Sequence, residues 1–469
     1  MASDGRGRVP PALVPVLVFV GLVVAVVGSL GAPLVPTVAR IAHVSLAAAQ
    51  WSLTITLLVG AVTTPVLGRL GDGPHRRGVI LTAIGVVVAG CTLAALPVGF
   101  AWLLAGRALQ GVGLGLVPLA MATARDALPP PRAAAAIGVL SVTAVGGIGL
   151  AYPLAGLVTE AYGLRAAYAG GAAVTAAALV AAALVVPPPS AREPRPLDVP
   201  GAVLLGVAVA ALLIALGQGE SWGWRSPAVL GTAAGGLLVL AVWVRRQRRA
   251  AHPLVDLRLL RHPAVVTADV TIAVGGAGMY LLLALVARYV QTPASAGYGF
   301  DSSVVVAGAV LVPFSVASFL AGRVAPALSA RVGSARLLAV GFAVVVAGIG
   351  TFLAARDRMW EVLLTMTVAG FGVGLVFAAN PGLLVSGVPA TETGSALALN
   401  QVLRNVGFSV GSAAAGAVLA AATPAGRALP RADGYRTAAL LAVAVCVAAL
   451  VISLVMAARG SAGRDRGPD

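Results

Sequence analysis

LVPVLVFVGLVVAVVGSLGAPLVPTVA, Leu13–Ala39, runs for 27 residues without one charged side chain. A bilayer's hydrocarbon core takes about 20 apolar residues of helix to cross. The stretch is therefore long enough to span, and too long for the core of a cleavable secretory signal, even with Arg6 and Arg8 before it. The pattern recurs along the chain. Fourteen such stretches are read near 13–38, 46–68, 78–97, 101–124, 133–158, 165–187, 200–218, 227–244, 264–290, 302–323, 335–355, 360–386, 394–422 and 436–458. Backbone groups in lipid must bond within their own segment, so the expectation is an all-α integral membrane protein with 14 transmembrane helices.

Composition agrees: 59% of residues are hydrophobic, 10% are charged, and the mean hydropathy is +0.97. No soluble domain of useful size fits between the spans. A net charge of +16 and a pI near 11.4 raise the question of nucleic acid, but the basic residues sit in short connections, not in one stripe, so none is expected. All 32 basic residues are Arg. Without lysine there is no Walker A ammonium and no Schiff base, so the chain is not expected to hydrolyse ATP itself. Cys91 and Cys446 lie inside spans, and His43, His75, His252 and His262 lack ligand spacing, so no metal, cofactor or disulfide is expected. No cluster of acids, histidines and nucleophiles shares one depth, which argues against an enzyme. Nothing resembles the selectivity filter of a channel or the outer domain of a receptor.

An even number of spans puts both termini on one side. That side carries 21 Arg and the other nine, with Arg107 and Arg404 inside spans, so both termini are expected in the cytoplasm. Two cytoplasmic connections differ from the rest. Pro187–Pro200 holds six prolines and reads as a stiff spacer or a plain tether. RRQRRAAHPLVDLRLLRHP, Arg245–Pro263, reads as an interfacial segment with its Leu and Val in the headgroup boundary, or again as a tether. They divide the chain into a six-span block (1–190), an extra pair (191–262) and a second six-span block (263–469). The blocks echo each other weakly. GRLGDGPHRRG from Gly68 has a counterpart in GRVAPALSARVGSAR from Gly322, and RAAAAIGVLSVTAVGG from Arg132 in TGSALALNQVLRNVG from Thr393. Internal repetition of this kind is the plan of secondary transporters.

Three motifs stand out. In the connection after span two lie Gly68, Asp72, Arg76 and Arg77. Span four holds LLAGRALQGVGLGLVP, with Arg107, Gln110 and Gly111. Span five holds VGGIGLAYPLAGLV, with Gly146, Gly147, Gly149, Pro153 and Gly156. Further stretches are LDVPGAVLLG from Leu197, GESWGW from Gly219 and ETGSALALNQVLRNVG from Glu392. With these the chain resembles the major facilitator superfamily over nearly its whole length, specifically the fourteen-span drug/proton antiporter branch. It departs from the family pattern at Gly73, His75, Tyr152 and Ala155.

The resemblance implies two six-helix bundles with two extra helices, and export of small amphiphiles by proton antiport with alternating access from a bacterial cytoplasm. The carrier would work in the cell membrane as a monomer, its partners being the small-molecule substrate, protons and the bilayer. A dedicated exporter of one endogenous metabolite is the alternative. The resemblance makes Gly68, Asp72, Arg76 and Arg77 a gate, with Asp72 accepting from the free amides at another helix's start; a solvated Asp is the plainer reading. It gives Arg107 and Gln110, which share a helix face, a part in coupling or substrate contact. The alternative is an Arg tied to neighbouring carbonyls. The span-five glycines suit either antiport or plain close packing.

The first span carries no acid. Asp269, in AVVTADVTIAV about 8 Å along its helix, is the candidate coupling carboxylate, or else a residue favouring the positive end of its own helix. Arg404 lies near mid-membrane and is expected to pair with Asp269, or to line a cavity with Asn380, Asn400, Gln401 and Asn405. Two buried Arg against one Asp favour neutral or anionic substrates over strong cations.

Overall fold

The computed structural model describes residues 10–188, 196–424 and 429–462. Seventeen α-helices and no strands are found among them. The chain runs α1 (Leu13–Ser29), α2 (Gly31–Ala42), α3 (Leu46–Gly71), α4 (Arg76–Ala95), α5 (Phe100–Gly111), α6 (Leu116–Ala127), α7 (Pro130–Tyr162) and α8 (Leu164–Val185). Two more helices, α9 (Val199–Trp222) and α10 (Pro227–Gln247), precede α11 (Pro263–Gln291), α12 (Val304–Ala309), α13 (Leu311–Val332), α14 (Ser334–Ala354), α15 (Met359–Ser386), α16 (Thr393–Ala421) and α17 (Ala432–Ala462). Twelve helices among the described residues are long and apolar enough to cross a bilayer. The first expected span falls on α1 and α2, parted at Leu30, and the fifth on α7, a single helix of 33 residues.

Two bundles repeat one packing plan. In the first, α1 packs on α7 and α8, α3 on α5, and α4 on α5 and α8. The same pairings return as α11 on α16 and α17, α13 on α15, and α14 on α15 and α17. Each bundle has its own apolar core, one around Leu17, Ile84, Leu119 and Leu140, the other around Leu285, Phe342, Met366 and Phe377. The bundles meet through α3 on α16 and through α7 on α13 and α15.

The extra pair lies over this seam. α9 packs on α10, α3 and α16, and Ala61 and Val402 share a buried cluster with Leu205, Val209 and Trp243. Asp198 caps α9 at the Gly201 amide, 3.0 Å, and ties it to α10 through Arg246 and Gln247 at 2.8 and 2.9 Å. Burial raises the Asp198 carboxyl, but the bonds from Arg246, Gly201 and Gln247 outweigh it and hold the group below its ordinary value.

Two sequence readings need correction. Leu254 and Val255 are not in a headgroup boundary; they are buried with α9 and α10, where Gln247 accepts from the Leu254 amide. Apolar side chains beside a protein groove bury more completely there than at an interface. The segment from Gly322 is not a loop either. α13 continues through Pro326 to Val332 and turns only at Gly333, whose φ is 84°. Arg323 and Arg331 sit on this extension, so the first arginine does not mark the helix end. Half of the six-proline connection, 189–195, lies outside the described residues.

Candidate functional site

The closed seam is built where α3 ends. The first amides of α16 have no partner within their own helix and carry the positive end of its dipole. Asp72, the C-cap of α3, meets them: Oδ1 accepts from the Gly394 amide at 2.7 Å, and Oδ2 from the Ser395 amide and hydroxyl at 2.9 and 2.7 Å. Burial raises the Asp72 carboxyl from its ordinary value, while Ser395, Gly394 and Arg76 pull it the other way. The approach requires Gly68, where a Cβ would stand 2.6 Å from Ala398 Cβ and 2.7 Å from the Gly394 carbonyl oxygen.

Residues not singled out in the sequence complete the seam. Arg69 pairs with Glu392 at 3.2 Å. Arg125, on α6, donates to the Val385 and Val388 carbonyls at 3.0 and 2.7 Å and to the Thr393 hydroxyl at 2.5 Å. A cation is thus placed on the orphan carbonyls ending α15, where the dipole favours it. Arg76 holds the first bundle together, bonding the Gly71 and Ala122 carbonyls and Asp126, while Arg77 donates to the Ala183 carbonyl at 2.6 Å.

Arg107 is fully buried, and four of its five N–H donors are engaged. Its guanidinium donates to the Ser52, Val27 and Gly28 carbonyls, each at 3.1 Å, and to Gln110 Oε1 at 2.5 Å. Thr56 donates its hydroxyl to the Arg107 carbonyl at 2.9 Å. Here Arg107 ties α1, α3 and α5 into one unit. Gln110 Nε2 is buried without a partner among the described residues.

In the second bundle α15 and α16 converge on the start of α11. Asn400 Nδ2 donates to Asp269 Oδ1 at 2.8 Å, and Asn380 Nδ2 to the neighbouring Ala268 carbonyl at 2.7 Å. Asp269 and Arg404 form no ion pair among the described residues. Arg404 instead lies over the Phe377 ring, 5.0 Å from its centroid. Gln401 and Asn405 flank it on α16. Gly407 and Gly411 press α16 onto α11, since a Cβ there would stand 2.3 and 2.1 Å from the Ala273 and Ala277 carbonyl oxygens.

On α7, a Cβ at Gly147 would stand 2.6 Å from Ala25 Cβ, and one at Gly156 3.9 Å from Val305. Gly146, Gly149 and Pro153 lie in the α7 backbone, and their side-chain surroundings fall outside the described residues. Among the described residues no group of three His, Cys, Asp or Glu is placed to hold a metal.

Two repeated helical bundles, a seam sealed by charge on one face, and polar groups between them define a multi-pass membrane carrier architecture. The family model described as Major Facilitator Superfamily matches residues 17–412, and the chain belongs to that superfamily, a family of transporters and not of enzymes, whose members bind small-molecule substrates. The chain is 31% identical over 426 residues to the tetracenomycin C resistance and export protein of Streptomyces glaucescens, covering 89% of this chain and 77% of that one. It is 28% identical to the multidrug resistance protein Stp of Mycobacterium tuberculosis (79% and 69% covered) and 29% identical to the probable actinorhodin transporter of Streptomyces coelicolor (79% and 66% covered). Among solved structures, the human organic anion transporter MFSD10 shares the fold at a TM-score of 0.64 and 16% identity, over 95% of this chain and 99% of that one.

Proposed function

We propose that this chain is a secondary active exporter of small amphiphilic compounds, driven by proton antiport and working by alternating access as a monomer in a bacterial cell membrane. In this reading it has fourteen spans, both termini in the cytoplasm, and the divisions 1–190, 191–262 and 263–469. One observation carries it: a buried carboxylate of one bundle grips the free amides of a helix of the other at a single face of the molecule. Such a contact has to break for that face to open, so it belongs to one of two states. The face bears the Arg-rich connections and is therefore taken as cytoplasmic. The names of the relatives support export of toxic compounds or antibiotics.

Asp269 is the proposed proton carrier. It is buried among helices of the second bundle, and its one side-chain hydrogen bond among the described residues comes from the Asn400 amide, which can donate to the carboxylate and, more weakly, to the carbonyl oxygen of the neutral acid. The test is a pump-deficient bacterial host carrying the protein or Asp269→Asn, challenged with a broad compound panel, with accumulation followed with and without an uncoupler. Protection abolished by both changes supports the reading. Protection indifferent to the uncoupler would sink proton antiport. A narrower reading, export of one endogenous metabolite, is favoured by the tetracenomycin C and actinorhodin relatives, and protection against a single compound alone would select it.

A further inference from the structure

The two arginines inside the membrane are treated differently by the fold. Arg107 donates four hydrogen bonds. Arg404 is only 8% exposed, yet it makes no hydrogen bond and no ion pair among the described residues, and its Nε is buried without a partner. Eleven residues into α16, it lies about 16 Å along the helix, near mid-membrane. The acid nearest in the site, Asp269, is engaged by Asn400. A guanidinium in an apolar interior is costly without a counter-charge, and a contact with one ring offsets only part of that.

The surroundings say what would supply the charge. Leu397, Gln401, Arg404 and Phe408 follow each other at helical spacing and share one face of α16. Leu397 packs in the core of the first bundle, so the start of this face looks across the interface between the bundles, while Phe408 packs back on α11. Beside Arg404 stand three rings in near-parallel succession. Phe377 and Phe408 have centroids 6.3 Å apart at 30°, and Phe408 and Tyr280 5.2 Å apart at 26°. The side-chain amides of Gln401 and Asn405 also bond to no described residue.

The geometry points to a binding site for a planar aromatic anion, with its ionised carboxyl or phenol on Arg404 and its rings along Phe408 and Tyr280, the partly exposed members of the row, while buried Phe377 backs the guanidinium from the core. Guanidinium matches such an oxyanion in shape and charge, and flat rings match the aromatic wall. Gln401 and Asn405 supply donors and acceptors for the ligand's neutral oxygens. This rests on the export reading above and names its substrate class. A quaternary ammonium of the same ring size would meet an unneutralised positive charge.

The test uses the full chain in lipid nanodiscs and two fluorescent probes, anthracene-9-carboxylate and its neutral methyl ester. The expected result is at least tenfold tighter binding of the carboxylate. Arg404→Gln should remove that preference while changing ester affinity less than threefold, Arg404→Lys should keep part of it, and Phe408→Leu should weaken both probes. Equal binding of the two probes by the wild type, absence of carboxylate binding, or a preference that survives Arg404→Gln overturns the inference. If Arg404→Gln fails to fold by circular dichroism, the wild-type ratio and Phe408→Leu decide. Protection of pump-deficient cells without a carboxylate preference overturns this site and leaves export standing. A carboxylate preference without protection overturns export and leaves the site.

Discussion

Asp72→Asn is the sharpest test of the seam, because it removes charge without changing size. The carboxylate now accepts from two amides and a hydroxyl. An asparagine offers one oxygen and turns its NH₂ toward a remaining N–H donor. Losing one to two charge-assisted bonds at about 1.5–3 kcal/mol each, less what relaxation recovers, gives roughly 2–4 kcal/mol against the closed seam. At 1.4 kcal/mol per factor of ten, the closed-to-open ratio falls roughly 30- to 700-fold. His75 and Ser386 are exposed near the seam, one on each bundle, and Cys91 and Cys446 are buried. Spin labels at positions 75 and 386, read by double electron–electron resonance, should gain a longer-distance component in Asp72→Asn. Ser395→Ala removes one donor and keeps both amides, so it should shift the distribution by about 1.5 kcal/mol, the low end for one charge-assisted bond. Identical distributions for the wild type and Asp72→Asn would refute the reasoning.

Other substitutions probe other joints. Gly68→Val should open the same seam by bulk, measured by the same labels, because Ala398 and the Gly394 carbonyl leave no room. Arg107→Gln should lower thermal stability in detergent by about 2–4 kcal/mol through lost charge-assisted bonds, and Arg107→Lys should restore little, since an ammonium cannot reach three carbonyls set for a planar fork. Gly411→Ala should cost about 1–3 kcal/mol, because the atom it meets is backbone and cannot swing aside; an unchanged melting temperature would refute that packing. Asp198→Ala should loosen the α9–α10 hairpin, seen as faster hydrogen exchange at the Leu254 amide.

The helical membrane fold was legible because hydropathy reports directly on which segments a bilayer can hold, and the two-bundle plan was legible in the echo between the blocks. What stayed hidden depends on which surfaces face each other. Arg125 and Glu392 look like ordinary loop charges in sequence, and only the meeting of α6, α15 and α16 gives them partners. The one available signal was position, since each stands at a helix end where a dipole is open. Leu254 and Val255 misled for the opposite reason: an apolar pair among arginines fits lipid headgroups as well as it fits a groove between helices. Pattern gave Asp269 and Arg404 a plausible pairing, but side-chain reach across three helices is not encoded in spacing, and Asn400 takes the carboxylate instead.

α16 links the sealed face to the interior mechanically. Its first amides hold Asp72, and ten residues along, about 15 Å, stands Arg404. Gly407 and Gly411 pack it directly against the backbone of α11, the helix that carries Asp269. Displacement of α16 that frees Asp72 must therefore either carry α11 with it or break a backbone-to-backbone contact, and packed helices resist the second. The Asn400–Asp269 bond adds a polar link between the same two helices close to the seam. A change of charge at Asp269 alters that link, and through the rigid pair it biases the grip on Asp72 at the membrane edge. The expected signature is non-additivity. Asp269→Asn and Asp72→Asn, each measured by the label pair at positions 75 and 386, should combine with a coupling of at least about 0.5 kcal/mol, although neither residue touches the other. Strict additivity would mean that α11 and α16 do not move as one body.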